Sequence, residues 1–93
     1  MRTVLFTVER LEFVGSGKFM VGGRNCRDEL HRGDRLRLSK GCGTEQIEVL
    51  VDEIKMYNRA VTEVASAMTA GLFFSNDLAA HFHLGSELHA QIG

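Results

Sequence analysis

Gly15 to Leu38, GSGKFMVGGRNCRDELHRGDRLRL, is the stretch whose reading decides the fold. Gly15-Ser16-Gly17 forms a flexible turn, and Lys18 to Gly23 follows as a strand. Arg24 to Glu29 is a polar connection, with Leu30 its one inward side chain. His31-Arg32-Gly33-Asp34 is a second turn, in which Gly33 can take a positive φ at no steric cost. In Arg35 to Ser39, Leu36 and Leu38 then alternate with Arg35 and Arg37, the period of a half-buried strand. Gly22-Gly23 inside a strand pattern marks a bulge or the close approach of another backbone. Short strands joined by glycine turns imply a small antiparallel barrel.

Working outward, Thr3 to Phe13 alternates, with Val4, Phe6 and Val8 on one face. Leu11 and Phe13 continue with the opposite parity, which predicts a bulge near Glu9-Arg10. After the Lys40-Gly41-Cys42-Gly43-Thr44 loop, Glu45 to Ile54 reads as one strand with Ile47, Val49 and Val51 on a face. From Ile54 to Gly71 the local pattern predicts a helix, since Ile54, Tyr57, Val61, Val64 and Met68 fall at helical spacing. Gly71 to Ser75 is a short apolar strand in which Phe73 and Phe74 point to opposite faces, leaving one as an exposed aromatic spot. Asn76-Asp77 reads as a helix N-cap for a single turn over Leu78 to Phe82, and Glu87 to Ile92 closes the chain as a strand.

Composition narrows the function. The 93 residues suit a single domain, 1–93, with one modest core. Eleven basic against twelve acidic side chains leave a net charge of −1, so there is no global basic field to hold nucleic acid. No apolar run reaches the roughly 18 residues of a membrane span, and the N-terminus lacks a signal-peptide pattern. Two cysteines without an export signal read as reduced thiols in a cytoplasmic protein.

Five further pieces, in order over some 80 positions, resemble the second domain of translational GTPases, the β-barrel of elongation factor Tu and its relatives. They are Gly17-Lys18-Phe19-Met20-Val21-Gly22-Gly23; Leu30-His31-Arg32-Gly33-Asp34-Arg35-Leu36; Val51-Asp52-Glu53-Ile54-Lys55-Met56-Tyr57; Thr69-Ala70-Gly71-Leu72; and Phe82-His83-Leu84-Gly85-Ser86-Glu87-Leu88. The resemblance implies an all-β fold, a closed six-stranded antiparallel Greek-key barrel. It places a loop and a short turn, not a helix, over residues 56–68. In elongation factor Tu this barrel helps hold the aminoacylated end of transfer RNA. Here Lys55 and Met68 stand where that family carries acids, and Ser16 where it carries an arginine. No G-x-x-x-x-G-K-(S/T) occurs, so GTP binding by this chain is not expected.

Candidate contact residues for a macromolecule are Arg24, Arg27, Arg32, Arg35 and Arg37, in one basic-rich stretch diluted by Asp28, Glu29 and Asp34, together with Lys55. If Arg35 and Arg37 align with Arg24 and Arg27 from a neighbouring strand, a local basic patch results. No pair of carboxylates and no serine–histidine setting suggests catalysis. Zinc needs three or four ligands, and no spacing of His31, His81, His83, His89, Cys26 or Cys42 supplies them, so the histidines read as surface side chains. The expected function is a stand-alone, non-catalytic binding barrel without cofactor. Its expected partner is a protein, with RNA or the ribosome as the alternative.

Overall fold

The computed structural model describes residues 1–39 and 46–92. Among them the chain forms ten strands: β1 Arg2–Gly15, β2 Lys18–Asn25, β3 Leu30–His31, β4 Arg35–Ser39, β5 Gln46–Leu50, β6 Glu53–Met56, β7 Arg59–Val61, β8 Glu63–Val64, β9 Thr69–Ser75 and β10 Glu87–Ile92. One short 3-10 helix, Asn76–His81, lies between β9 and β10. Eight strands make one antiparallel sheet in the order β5-β4-β10-β1-β2-β9-β6-β7, and β3 pairs with β8 as a separate ribbon.

The all-β reading holds, but the expected closed six-stranded barrel does not. The sheet ends at β5 and β7, and the two edges form no ladder with each other among the described residues. The reason lies in the segment expected as a single strand from Glu45 to Ile54. Glu45 is outside the described residues, and the strand breaks at Val51-Asp52. β5 pairs with β4, whereas β6 crosses to pair with β9. Isolated backbone hydrogen bonds mark the crossing: Val51 N donates to Asp34 O at 3.1 Å and Val51 O accepts from Gly33 N at 2.9 Å, while Asp52 N donates to Phe73 O at 3.1 Å. The ribbon does the rest: β3 leads into β4 and β8 follows β7, so their pairing draws the two ends of the sheet together.

The helix that the local pattern alone suggests over Ile54 to Gly71 is absent, in keeping with the resemblance, although two short strands, β7 and β8, accompany the turn and loop it implies over residues 56–68. β6 and β7 form a hairpin in register Ile54↔Val61 and Met56↔Arg59, turned by Tyr57 and Asn58. Both turn residues have positive φ, 53° and 63°, the pairing that suits the right-handed twist of a two-residue hairpin. Apolar residues at helical spacing therefore serve strands here: Ile54 and Val64 enter the core, while Tyr57 does not.

The core gathers Val4, Phe6 and Val8 of β1 with Leu36, Leu38, Val49, Leu72 and Leu88. Phe19, Phe74 and Phe82 pack with ring centroids 5.1–5.9 Å apart, within the range of favourable aromatic pairs. Phe73, expected as one of two candidates for an exposed aromatic, is only 7% exposed, because the Lys55 side chain lies over it. The exposed aromatics among the described residues are Phe13 and Tyr57, at 72% and 87%. The helical turn appears as 3-10, with Ser75 in the N-cap position and no side-chain cap bond, not capped by Asn76.

The bulge predicted near Glu9-Arg10 is present as a register shift between Val8 and Arg10. Opposite it, a Cβ on Gly23 would lie 2.0 Å from Thr7 O and 2.8 Å from Phe6 Cε1. One on Gly22 would meet only the flexible Arg10 side chain, at 3.1 Å. Gly23→Ala is therefore expected to destabilise the domain by about 3 kcal/mol, the upper part of the usual overpacking cost. Gly22→Ala should cost less than about 1 kcal/mol. Paired denaturant melts check this, and equal losses would remove the close approach as the cause.

Candidate functional site

The outer face of β1, β2, β9 and β6 carries a groove of about 780 Å³. Register explains its composition. Arg10, Gly22, Gly71 and Lys55 stand directly across from one another on four successive strands, and Glu12, Met20, Phe73 and Glu53 form the next row on the same face. Two side-chain-free positions thus lie between Arg10 and Lys55, whose backbones are roughly three strand spacings, about 14 Å, apart, and the Arg10 guanidinium extends over Gly22. Lys55 Nζ sits 5.3 Å from the centre of the Phe73 ring, a cation–π distance. The floor is glycine, methionine and phenylalanine, and the walls carry both signs of charge.

Tyr57 stands at the rim, 87% exposed. Its φ of 53° is a conformation that costs a bulky L-residue about 1–2 kcal/mol. The two-residue hairpin requires a positive φ at this position, which glycine or asparagine would adopt at lower cost, and the exposed tyrosine side chain recovers none of that cost by packing. At the far end of β1, Leu11, Phe13 and Val14 are also exposed, although Leu11 faces inward by register with the buried Val21. The β1–β2 hairpin extends past the core that its first half builds.

The candidate basic residues separate. Arg35 and Arg37 share the outer face of β4, where Arg35 Nη1 lies 3.3 Å from Glu48 Oε1 and Arg37 pairs across with Glu48 and His89. Arg24 is on β2, and β10 and β1 lie between it and β4, so the alignment of Arg24 with Arg35 and Arg37 from adjacent strands does not occur. Arg27 and Arg32 are exposed in the connections before and after β3. Lys55 belongs to the groove instead. Lys40 and Cys42 lie outside the described residues.

Arg2 and Asp34 carry a contact that no local pattern indicates, being 32 positions apart. Arg2 Nη1 and Nη2 donate to the two carboxylate oxygens of Asp34 at 3.0 Å each, a bidentate pair, and Arg2 Nη1 also donates to Glu29 O at 2.9 Å. Asp34 in turn accepts from the backbone N–H of His31 at 2.7 Å. Burial pushes the Asp34 carboxyl up, but the hydrogen bonds from Arg2 and His31 and the Arg2 charge outweigh it, holding the carboxyl below its ordinary value. The Arg2 guanidinium is correspondingly raised by its hydrogen bond to Asp34, against the opposing effect of burial. Asn25, fully buried, donates through Nδ2 to Asp28 O, Val64 O and Ala65 O, tying the end of β2 to β8.

His81 and His83 flank the buried Phe82 without facing the core, as expected. His31 is different. It is half-buried, and its Nε2 lies 3.2 Å from Glu29 Oε1 and 3.5 Å from Glu63 Oε2. Sequence spacing missed this group because Glu63 arrives by cross-strand pairing with His31.

No protein-family model and no curated protein matches this sequence. Solved structures do match. Translation elongation factor SelB from Methanococcus maripaludis superposes with TM-scores of 0.78 in its apo form and 0.77 with the GTP analogue GppNHp, at 15% and 14% identity, covering 96% and 98% of this chain. GDP-bound aIF5B from Aeropyrum pernix gives 0.76 at 17% identity over all of it. This chain folds like domain II of the translational GTPases. It spans only 19% of the SelB chain and 15% of the aIF5B chain, and at these identities the likeness is one of fold. Among the described residues no helix is long and apolar enough to cross a membrane.

The Arg2–Asp34 pair gives a pH signature. A carboxyl whose folded pKa is depressed adds stability above its unfolded value, near 4, and that stability is lost as pH falls through the folded value. Arg2→Met should destabilise the domain by about 2 kcal/mol at neutral pH and by much less once Asp34 is protonated. Denaturant melts at pH 7 and pH 2.5 measure the difference. A loss independent of pH would assign the effect to the arginine stem alone.

Proposed function

We propose that this domain is a non-catalytic binding module that docks a protein partner in the groove between β1 and β6. The observation that carries the reading is Tyr57, held at φ 53° and almost wholly exposed above that groove. Backbone strain that packing does not repay is retained where a side chain must be presented. The surroundings favour a polypeptide ligand. Glu9 and Glu12 balance Arg10 and Lys55 along the groove, so no phosphate-attracting field builds there. The exposed Val14 extends the apolar surface along it. The module acts in the cytoplasm, and it hydrolyses no GTP itself.

RNA or ribosome binding is the second reading, and one arrangement favours it. An exposed tyrosine beside two cations can stack a base while Lys55 and Arg10 meet phosphates. The fold is shared with translation factors. On this reading Arg24, Arg27, Arg32, Arg35 and Arg37 make separate backbone contacts, since β2 and β4 are not neighbours.

A photo-crosslinking residue at position 57 tests both. A protein adduct, abolished by Lys55→Glu, is the expected result. An RNA adduct, with affinity falling steeply as salt rises, would replace the first reading with the second. Tyr57→Gly should meanwhile raise stability by about 1 kcal/mol by relieving the left-handed strain, while weakening partner capture. A substitution that lowers stability would show that the tyrosine serves the fold.

A further inference from the structure

We propose that Glu29, His31 and Glu63 form a binding site for a divalent transition-metal ion of the zinc class, bridging β3 and β8. Glu29, immediately before β3, brings its carboxylate to the His31 ring, and Glu63 stands directly across from His31 in the ribbon. One ligand atom from each of the three lies within 4.8 Å of the others. Zinc bonds of 2.0–2.1 Å in a tetrahedron imply ligand–ligand separations of about 3.3 Å. His31 Nε2 meets that geometry on both sides, at 3.2 Å from Glu29 Oε1 and 3.5 Å from Glu63 Oε2.

The histidine nitrogen supplies the second reason. Nε2 is enclosed, yet it makes no hydrogen bond: the carboxylates are near it but off the direction a ring N–H requires. A cation held between the three groups would accept its lone pair. One neutral imidazole and two carboxylates balance a divalent charge, and imidazole among the ligands favours zinc over magnesium or calcium. The scaffold is already held. Asp34 fixes the His31 backbone at 2.7 Å, Arg32 N donates to Thr62 O at 2.8 Å, and Leu30 and Val64 are buried beneath the ribbon. Both glutamates are half-exposed or more, which leaves a fourth position open to water. The ion would pin a ribbon that has only two residue pairs, Leu30↔Val64 and His31↔Glu63.

Titration calorimetry of the full chain with zinc, and separately with cobalt, tests the site. One equivalent should bind, and the cobalt complex should lack the thiolate charge-transfer band that binding at Cys26 or Cys42 would give. His31→Gln and Glu63→Gln should each weaken binding by at least about tenfold, and zinc should raise the thermal midpoint of the unsubstituted chain only. No binding, undiminished binding in His31→Gln, or a thiolate band overturns the proposal. If a variant fails to fold, the His31 ring resonances of the native chain decide: a zinc-induced shift supports the site, and unmoved resonances overturn it.

Discussion

β1 and β2 approach at Gly23 more closely than any side chain permits, and much of the architecture depends on that contact. Thr7 O and the Phe6 ring occupy the space a Cβ would need. The approach coincides with the bulge after Val8, where Val8 O accepts from Gly85 N at 2.9 Å and Val8 N donates to Ser86 O at 2.8 Å. β1 can therefore serve two sets of neighbours. Its first half pairs with β10 and puts Val4, Phe6 and Val8 into the core. Past the bulge it leaves β10 and runs on with β2 alone.

That division has a consequence for binding. The bulge reverses the inward parity of β1, so Arg10 and Glu12 come onto the outer face opposite Gly22 and Met20. The groove is the reverse side of the sheet whose inner side holds Val21, Leu72 and Ile54. Its floor is rigid because strands on a common core cannot move independently. At its margin lie the exposed hairpin end of β1 and β2 and the strained turn at Tyr57. Packing thus separates a fixed surface from a presented side chain.

Features with a short-range cause were legible in the residues. The two glycine turns, the alternation of Leu36 and Leu38 and the bulge in β1 each follow from a few neighbouring positions. The hairpin at Tyr57-Asn58 was not, because a tyrosine at positive φ is one of the least expected turn residues. Its neighbours, moreover, happen to repeat at helical spacing. Strand splitting at Val51-Asp52 escaped for a different reason. The inward parity shifts between Val51 and Ile54, a change that one intervening residue hides in a short apolar pattern, and the partner strand changes with it. At the candidate site, Lys55 could be singled out by position within a resemblance. Its place across from Gly71, with Arg10 at the other end of the row, required the register of four strands.

The same distinction accounts for how the sheet is held without closing. A barrel seam made of ladder bonds would be written as two alternating strands, and β5 and β7 do not meet that way. The chain instead concentrates long-range polar contacts around β3 and β8. Arg2 reaches Asp34, Asp34 caps His31, Asn25 bonds Val64 O, and Arg32 N bonds Thr62 O. Apart from the local Asp34–His31 bond, each draws together segments far apart in sequence, and all rest on a specific side chain or carbonyl, not on periodicity. Hydrogen bonds to charged or buried groups are worth more per contact than exposed ion pairs such as Arg35–Glu48. A few of them can therefore do at this junction what a ladder does elsewhere in the sheet. They also place His31 between two carboxylates, so the junction that joins the sheet's ends is also where this chain assembles metal-ligating groups.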